Sequence, residues 1–170
     1  MTESLFLDHS VRKLRQLQGR IEECLGRLTD EQIWARHSDN ENAAGNLVLH
    51  LCGNVRQWIV SGVGGQQDIR TRDREFAACG TVTRGELLER LAGTLDAAIP
   101  VIEGVSAERL AETIRVQGYD VSVLEAIYHV VEHFSMHTGQ IIFATKLLTQ
   151  EDLGFYKHLS VKAASGDPAP

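Results

Sequence analysis

Leu7, Val11, Leu14, Gln18, Ile21, Leu25 and Leu28 recur at alternating steps of four and three. This spacing lays one continuous apolar stripe along a helix, and Gln18 is its only polar member. Such a helix gains most of its stability by burying the stripe, so a chain that opens this way must pack helix on helix. The stripe predicts a first helix from about Ser4 to Leu28.

Three more stripes follow. Leu47, Leu51, Val55 and Trp58 predict a helix from about Ala43 to Val60, stopped by Ser61-Gly62-Val63-Gly64-Gly65. Leu88, Leu91, Leu95, Ala98 and Ile102 predict a third, which ends at Gly104. Val123, Ile127, Val130, Phe134, Ile141 and Leu148 trace the fourth. Capping boxes mark the helix starts: Thr83 to Glu86 opens the third helix and Ser122 to Glu125 the fourth. Thr29 to Gln32 opens a short turn containing Ile33 and Trp34. Residues 37–45 and 66–80 read as loops, the second with alternating charges, and residues 112–119 alternate like a strand or hairpin fragment.

The pattern predicts an all-α four-helix bundle in one domain over residues 1–162, with a flexible tail at 163–170. The long loops after helices 2 and 3 permit a connectivity other than simple up-down-up-down. At 170 residues the chain is long enough for a sizeable core.

The net charge of −6, with no basic run interleaved with aromatics, argues against a nucleic-acid binder. No stretch approaches the roughly 18 apolar residues of a membrane span, and Met1 to Asp8 lack a basic leader, so a cytoplasmic protein is expected. Cys24, Cys52 and Cys79 are odd in number and widely spaced, which is neither a disulfide framework nor a zinc-finger pattern. Gly62-Val63-Gly64-Gly65 lacks the Lys-Ser/Thr of a phosphate-binding loop and reads as a helix stop. The Arg70-Thr71-Arg72-Asp73-Arg74 run reads first as a solvated loop laced with ion pairs, with anion binding or cleft sealing as the alternative.

The chemistry concentrates in the histidines. His133 and His137 are four residues apart on the fourth helix, one turn along a single face and about 6 Å from each other. His50 lies on the second helix. Two imidazoles from one helix and a third from another can hold one divalent ion and leave a position open, the pattern of a catalytic rather than a structural site. His129 is one turn before His133 and could ligate in place of His137; the two are about 12 Å apart along the axis and cannot share an ion. Hydrogen bonding to facing side chains would satisfy the same rings without any metal. Asn54 and Gln140 are available as outer partners. His9, His37 and His158 fall outside the pattern and read as surface residues. Glu132 points about 100° away from His133, so no catalytic base is assigned.

The segment Asn42-Ala43-Ala44-Gly45-Asn46-Leu47-Val48-Leu49-His50-Leu51, followed by His129-Val130-Val131-Glu132-His133-Phe134-Ser135-Met136-His137-Thr138-Gly139-Gln140, resembles the DinB-like (YfiT-like) superfamily over roughly residues 5–150. The resemblance implies a bundle of DinB-like connectivity and a divalent metal (nickel, zinc or iron) held by His50, His133 and His137. It further implies a metal-dependent hydrolase or low-molecular-weight thiol S-transferase acting on a small molecule, with a thiol among the candidates, and a homodimer. The alternative is a non-catalytic stress-response or binding protein of the same fold, with a structural metal or none.

Overall fold

The computed structural model describes residues 2–157 and 159. The first stripe forms α1 (Thr2–Arg27), followed by the short α2 (Asp30–Ile33). The second forms α3 (Ala44–Val55), which continues into a π-helical segment, Arg56–Val63. Then come α4 (Arg72–Ala77), α5 (Arg84–Glu103), a 3₁₀ turn at Arg109–Ala111, strands β1 (Thr113–Val116) and β2 (Tyr119–Ser122), and α6 (Val123–Thr149).

The long helices bury most of the residues whose spacing defined them, with Val11, Leu88 and Leu148 half-buried at the edge of the core. Leu14, Ile21, Leu51, Leu91, Leu95, Ile127 and Phe134 lie in one shared core. α1 packs against α5 and α6, and α3 packs against the same pair, so α1 and α3 occupy opposite corners of the bundle. Helices adjacent in sequence are therefore not always adjacent in space. Gln18, the break in the first stripe, is buried at a rim where its amide is satisfied on both sides: it accepts from Arg15 at 3.0 Å and donates to Glu22 at 2.8 Å.

All three capping boxes form. Gln32 N donates to Thr29 Oγ1 at 3.2 Å, and the side chains of Glu86 and Glu125 accept from the backbone N–H of Thr83 at 2.8 Å and of Ser122 at 2.7 Å. Each satisfies amide donors that the first helical turn would otherwise leave unpaired. β1 and β2 form an antiparallel hairpin closed at Gln117-Gly118, both at positive φ (53° and 86°), as a two-residue turn of the right twist requires. Trp58 Nε1 donates to Gln117 Oε1 at 3.2 Å and ties the hairpin to the π-helical segment.

Two features depart from the sequence reading. The second helix does not stop at Val60. It widens into the π-helical turn, and Gly64 N donates to Ile59 O at 2.7 Å. A β-carbon at Gly64 would sit 2.5 Å from Val60 O, so only glycine closes this wide turn. The loop at 66–80 contains α4, six residues that the alternating charges concealed. The tail and His158 lie outside the described residues. No helix among the described residues is long and apolar enough to cross a membrane.

Candidate metal centre

α3 and α6 face each other across the bundle, and their histidines meet there. His50 Nε2 lies 3.1 Å from His133 Nε2, which lies 3.2 Å from His137 Nε2. One nitrogen from each of the three rings falls within 4.8 Å of the others, and they form the described group of side chains able to hold a metal ion. Ligands of one tetrahedral ion at about 2.0–2.1 Å would stand about 3.3 Å apart, close to the His50–His133 and His133–His137 spacings.

The outer ring nitrogens fix which atoms point inward. His50 Nδ1 donates to Glu75 Oε2 at 2.9 Å, and His137 Nδ1 donates to Gln140 Oε1 at 2.7 Å. With both Nδ1 atoms protonated, the Nε2 atoms of His50 and His137 present bare lone pairs to the centre. His133 Nε2 stands between them and can donate to only one. Three converging lone pairs are mutually repulsive unless a proton or a cation is shared. Burial, reinforced by neighbouring His137 and His50, pushes His133 down to about 3, and burial also lowers His137. Both rings are therefore neutral near pH 7, as ligation requires.

Glu75 is held in turn by Arg70. Arg70 Nε donates to Glu75 Oε1 at 2.7 Å and Nη2 to Oε2 at 2.8 Å, a bidentate pair with only 4% of the Arg70 side chain exposed. Nη1 donates to Gln57 Oε1 at 2.8 Å. Arg70 Nη2 is also 3.1 Å from His50 Nδ1, but both atoms are donors, so Glu75 Oε2 accepts from both. Burial raises the Glu75 carboxyl, and the bonds from Arg70 and His50 outweigh it and hold the group below its ordinary value. Glu75 is thus a carboxylate aimed at the back of a cluster histidine, an arrangement that fixes ring orientation and would make the nitrogen a better donor to a metal.

The backbone makes room for this chain. A β-carbon at Gly53 would lie 1.9 Å from Glu75 Oε1 and 2.9 Å from Arg70 Nε. Asn46, fully buried one turn before His50, donates from Nδ2 to the carbonyls of Glu75, Phe76 and Ala78 at 3.0, 3.3 and 2.8 Å. It thereby satisfies the end of α4 and pins it to α3.

His129 stands apart from the cluster. Its ring lies 4.1 Å from Trp58, and its Nε2 is 3.3 Å from Asn54 Nδ2, which donates to it. Asn54 Oδ1 and His133 Nδ1 are buried without a hydrogen-bond partner among the described residues. The first is an acceptor, and the second becomes a donor once His133 Nε2 ligates. His9 and His37 are exposed. Of the outer groups the sequence suggested, Gln140 reaches a cluster histidine and Asn54 reaches His129 instead. Glu75 and Gly53 carry no functional reading in the sequence, and Arg70 enters there only as part of the Arg70–Arg74 run. The Arg70 side chain is buried against Glu75 rather than solvated, which corrects the default reading of that run at this residue. The available signal was a helix-interior glycine three residues after His50, a position where side-chain absence needs a packing reason.

The bundle has the fold of solved DinB-like proteins. The chain belongs to the family described as "Protein of unknown function (DUF1572)", which matches residues 2–165. No curated protein matches it in sequence. In fold it is similar to a conserved protein from Enterococcus faecalis at a TM-score of 0.70 and 15% identity, covering 85% of this chain and 97% of that one. A DinB-like protein from Bacillus cereus superposes at 0.66 with 13% identity, covering 83% and 91%. A mycothiol-dependent maleylpyruvate isomerase superposes at 0.61 with 14% identity, covering 79% of this chain and 60% of the longer enzyme.

The packing at Gly53 generates a paired expectation. Gly53→Ala drives a methyl group into the Arg70–Glu75 pair and destabilises the fold by about 2–4 kcal/mol, because a buried charge pair must separate or shift. Gly19→Ala, with nothing within 4 Å of the added carbon on α1, is neutral or stabilises by up to about 1 kcal/mol. Urea unfolding of the two variants measures the contrast. Equal effects would mean that the Gly53 contact carries no constraint.

Proposed function

We propose that the chain is a metal-dependent enzyme of the hydrolase or low-molecular-weight thiol S-transferase type, and that His50, His133 and His137 hold one divalent ion. The convergence of three Nε2 atoms, one of them backed by the buried Glu75 carboxylate, carries this reading. Nickel, zinc and iron all accept imidazole nitrogen. When bound, the ion would lower the pKa of a water or a substrate thiol so that it attacks near neutral pH. The donor set fits this use, because the described cluster supplies three ligands and a catalytic ion needs an open position.

The chain's own residues supply orientation. Glu75 and Gln140 hold two rings in the tautomer that points Nε2 inward. Arg70 keeps Glu75 ionised, and Gln57 and Asp68 hold the Arg70 loop in place. Glu132 is exposed on the other side of α6 beside Phe6 and His9, and it has no role at the centre. The likeness to a mycothiol-dependent enzyme makes a thiol the first substrate class to test. The setting we propose is cytoplasmic.

We also propose that the chain is a homodimer. Met136, Phe143 and Leu147 are exposed along one stripe of α6, and covering them would remove large apolar side chains from water. Sedimentation at micromolar concentration should give about twice the 18.8 kDa chain mass; a monomer throughout that range contradicts the proposal.

Elemental analysis of purified variants tests the centre. The wild-type chain should carry one divalent ion. His50→Ala, His133→Ala and His137→Ala should each lose most of it, and His129→Ala and His9→Ala should keep it. Glu75→Gln should weaken metal binding by about 10–100-fold while leaving the three ligands in place. Occupancy should fall in acid, at a pH below the ordinary imidazole range, because burial keeps His133 and His137 neutral until they protonate in competition with the metal. If His129→Ala loses the ion and His137→Ala retains it, the ligand set is displaced by one turn. If no variant changes metal content, the histidines serve packing alone.

A further inference from the structure

Behind the Arg70–Glu75 pair, on the side away from His133 and His137, a cavity of about 610 Å³ opens between α3, α5 and the 66–75 loop. This volume is in the range of small-molecule sites. We propose that it binds a small multivalent anion bearing phosphate or several carboxylates.

Three arginines that are distant in sequence line it: Arg56 from the π-helical segment, Arg74 from α4 and Arg90 from α5. None of their guanidinium groups has an ion pair or hydrogen bond among the described residues. Arg15, Arg27, Arg70, Arg109 and Arg115 pair with carboxylates. Other arginines, such as Arg12 and Arg36, also lack a carboxylate partner among the described residues; what distinguishes the cavity is that three such groups line one concavity. The two acids on the cavity wall are already engaged. Glu75 is committed to Arg70 and His50, and Asp68 accepts from Gln57 at 2.7 Å and from Arg70 N at 2.9 Å. Three like charges facing one concavity concentrate positive potential there, and a multivalent anion relieves it.

The other lining groups suit binding rather than chemistry. The hydroxyl of Thr71 can donate to an anion, and Ile69, 72% exposed beside the cavity, offers contact to a carbon skeleton. Cys52 also lines the wall, but burial pushes its thiol up to about 11, so it stays protonated. The cavity's lining contains none of the three clustered histidines and meets their network only at Gly53, Arg70 and Glu75.

Calorimetric titration of the purified chain with inorganic phosphate, and separately with succinate, tests the site. At least one should bind saturably at one per chain, and the tighter of the two identifies the anion class. Arg56→Gln and Arg90→Gln, both at exposed side chains, should each weaken binding at least about tenfold, the loss of one charge-assisted bond. Circular dichroism should confirm that both variants remain helical. His137→Ala should leave the affinity unchanged. Binding abolished by His137→Ala, binding indifferent to both arginine variants, or no binding of either anion would overturn the proposal.

Discussion

A buried ion pair resting on bare backbone organises this end of the molecule. Arg70 and Glu75 are placed against α3 where Gly53 has no side chain, and together they fix the ring of His50. Removing either partner would leave the other charge buried and unpaired, which typically costs about 3–5 kcal/mol. A short helix is therefore stable here only because several bonds converge on it. Asn46 anchors its carbonyl end, Gln57 braces Arg70, and the carboxylate of Glu75 finds two donors. The same network separates two spaces, with the histidine cluster toward α6 on one side and the arginine-lined cavity toward α5 on the other.

The long helices and their starts were legible because each is set by local chemistry that repeats. A stripe such as Leu88, Leu91, Leu95 needs only a partner surface, and a box such as Ser122 to Glu125 needs only its own turn. Of the hairpin only an extended or hairpin fragment over residues 112–119 was visible; the turn at Gln117-Gly118 and the second strand were not placed. α4 was not legible. Its six residues are mostly charged, and its helix depends on Asn46 and Arg70, contacts made across 30 residues of chain in one case. The π-helical turn was equally hidden, because its width depends on how Gly64 meets Val60 and not on a periodic signal.

For the site, spacing on α6 together with one histidine on α3 pointed to a cluster but left His129 and His137 as rivals for one role, and the set His50, His133 and His137 came from the family resemblance. In space it is His137 that joins the other two rings. His129 stacks on Trp58 and takes a hydrogen bond from Asn54, and His137 turns toward His133 and is held by Gln140. The carboxylate behind His50 could not be found by spacing, because it arrives from a segment whose charge pattern suggests solvent exposure. Second partners of this kind come from tertiary structure, and only the glycine that accommodates them lies near His50 in sequence.

In the proposed centre His50, His133 and His137 ligate one ion through Nε2. X-ray absorption spectroscopy of the purified metal-bearing chain tests this most directly. Such a centre gives nitrogen or oxygen scatterers only, at about 2.0–2.1 Å if the ion is zinc, with the multiple-scattering pattern of about three imidazoles. A sulfur scatterer near 2.3 Å, or a spectrum without imidazole scattering, would contradict it.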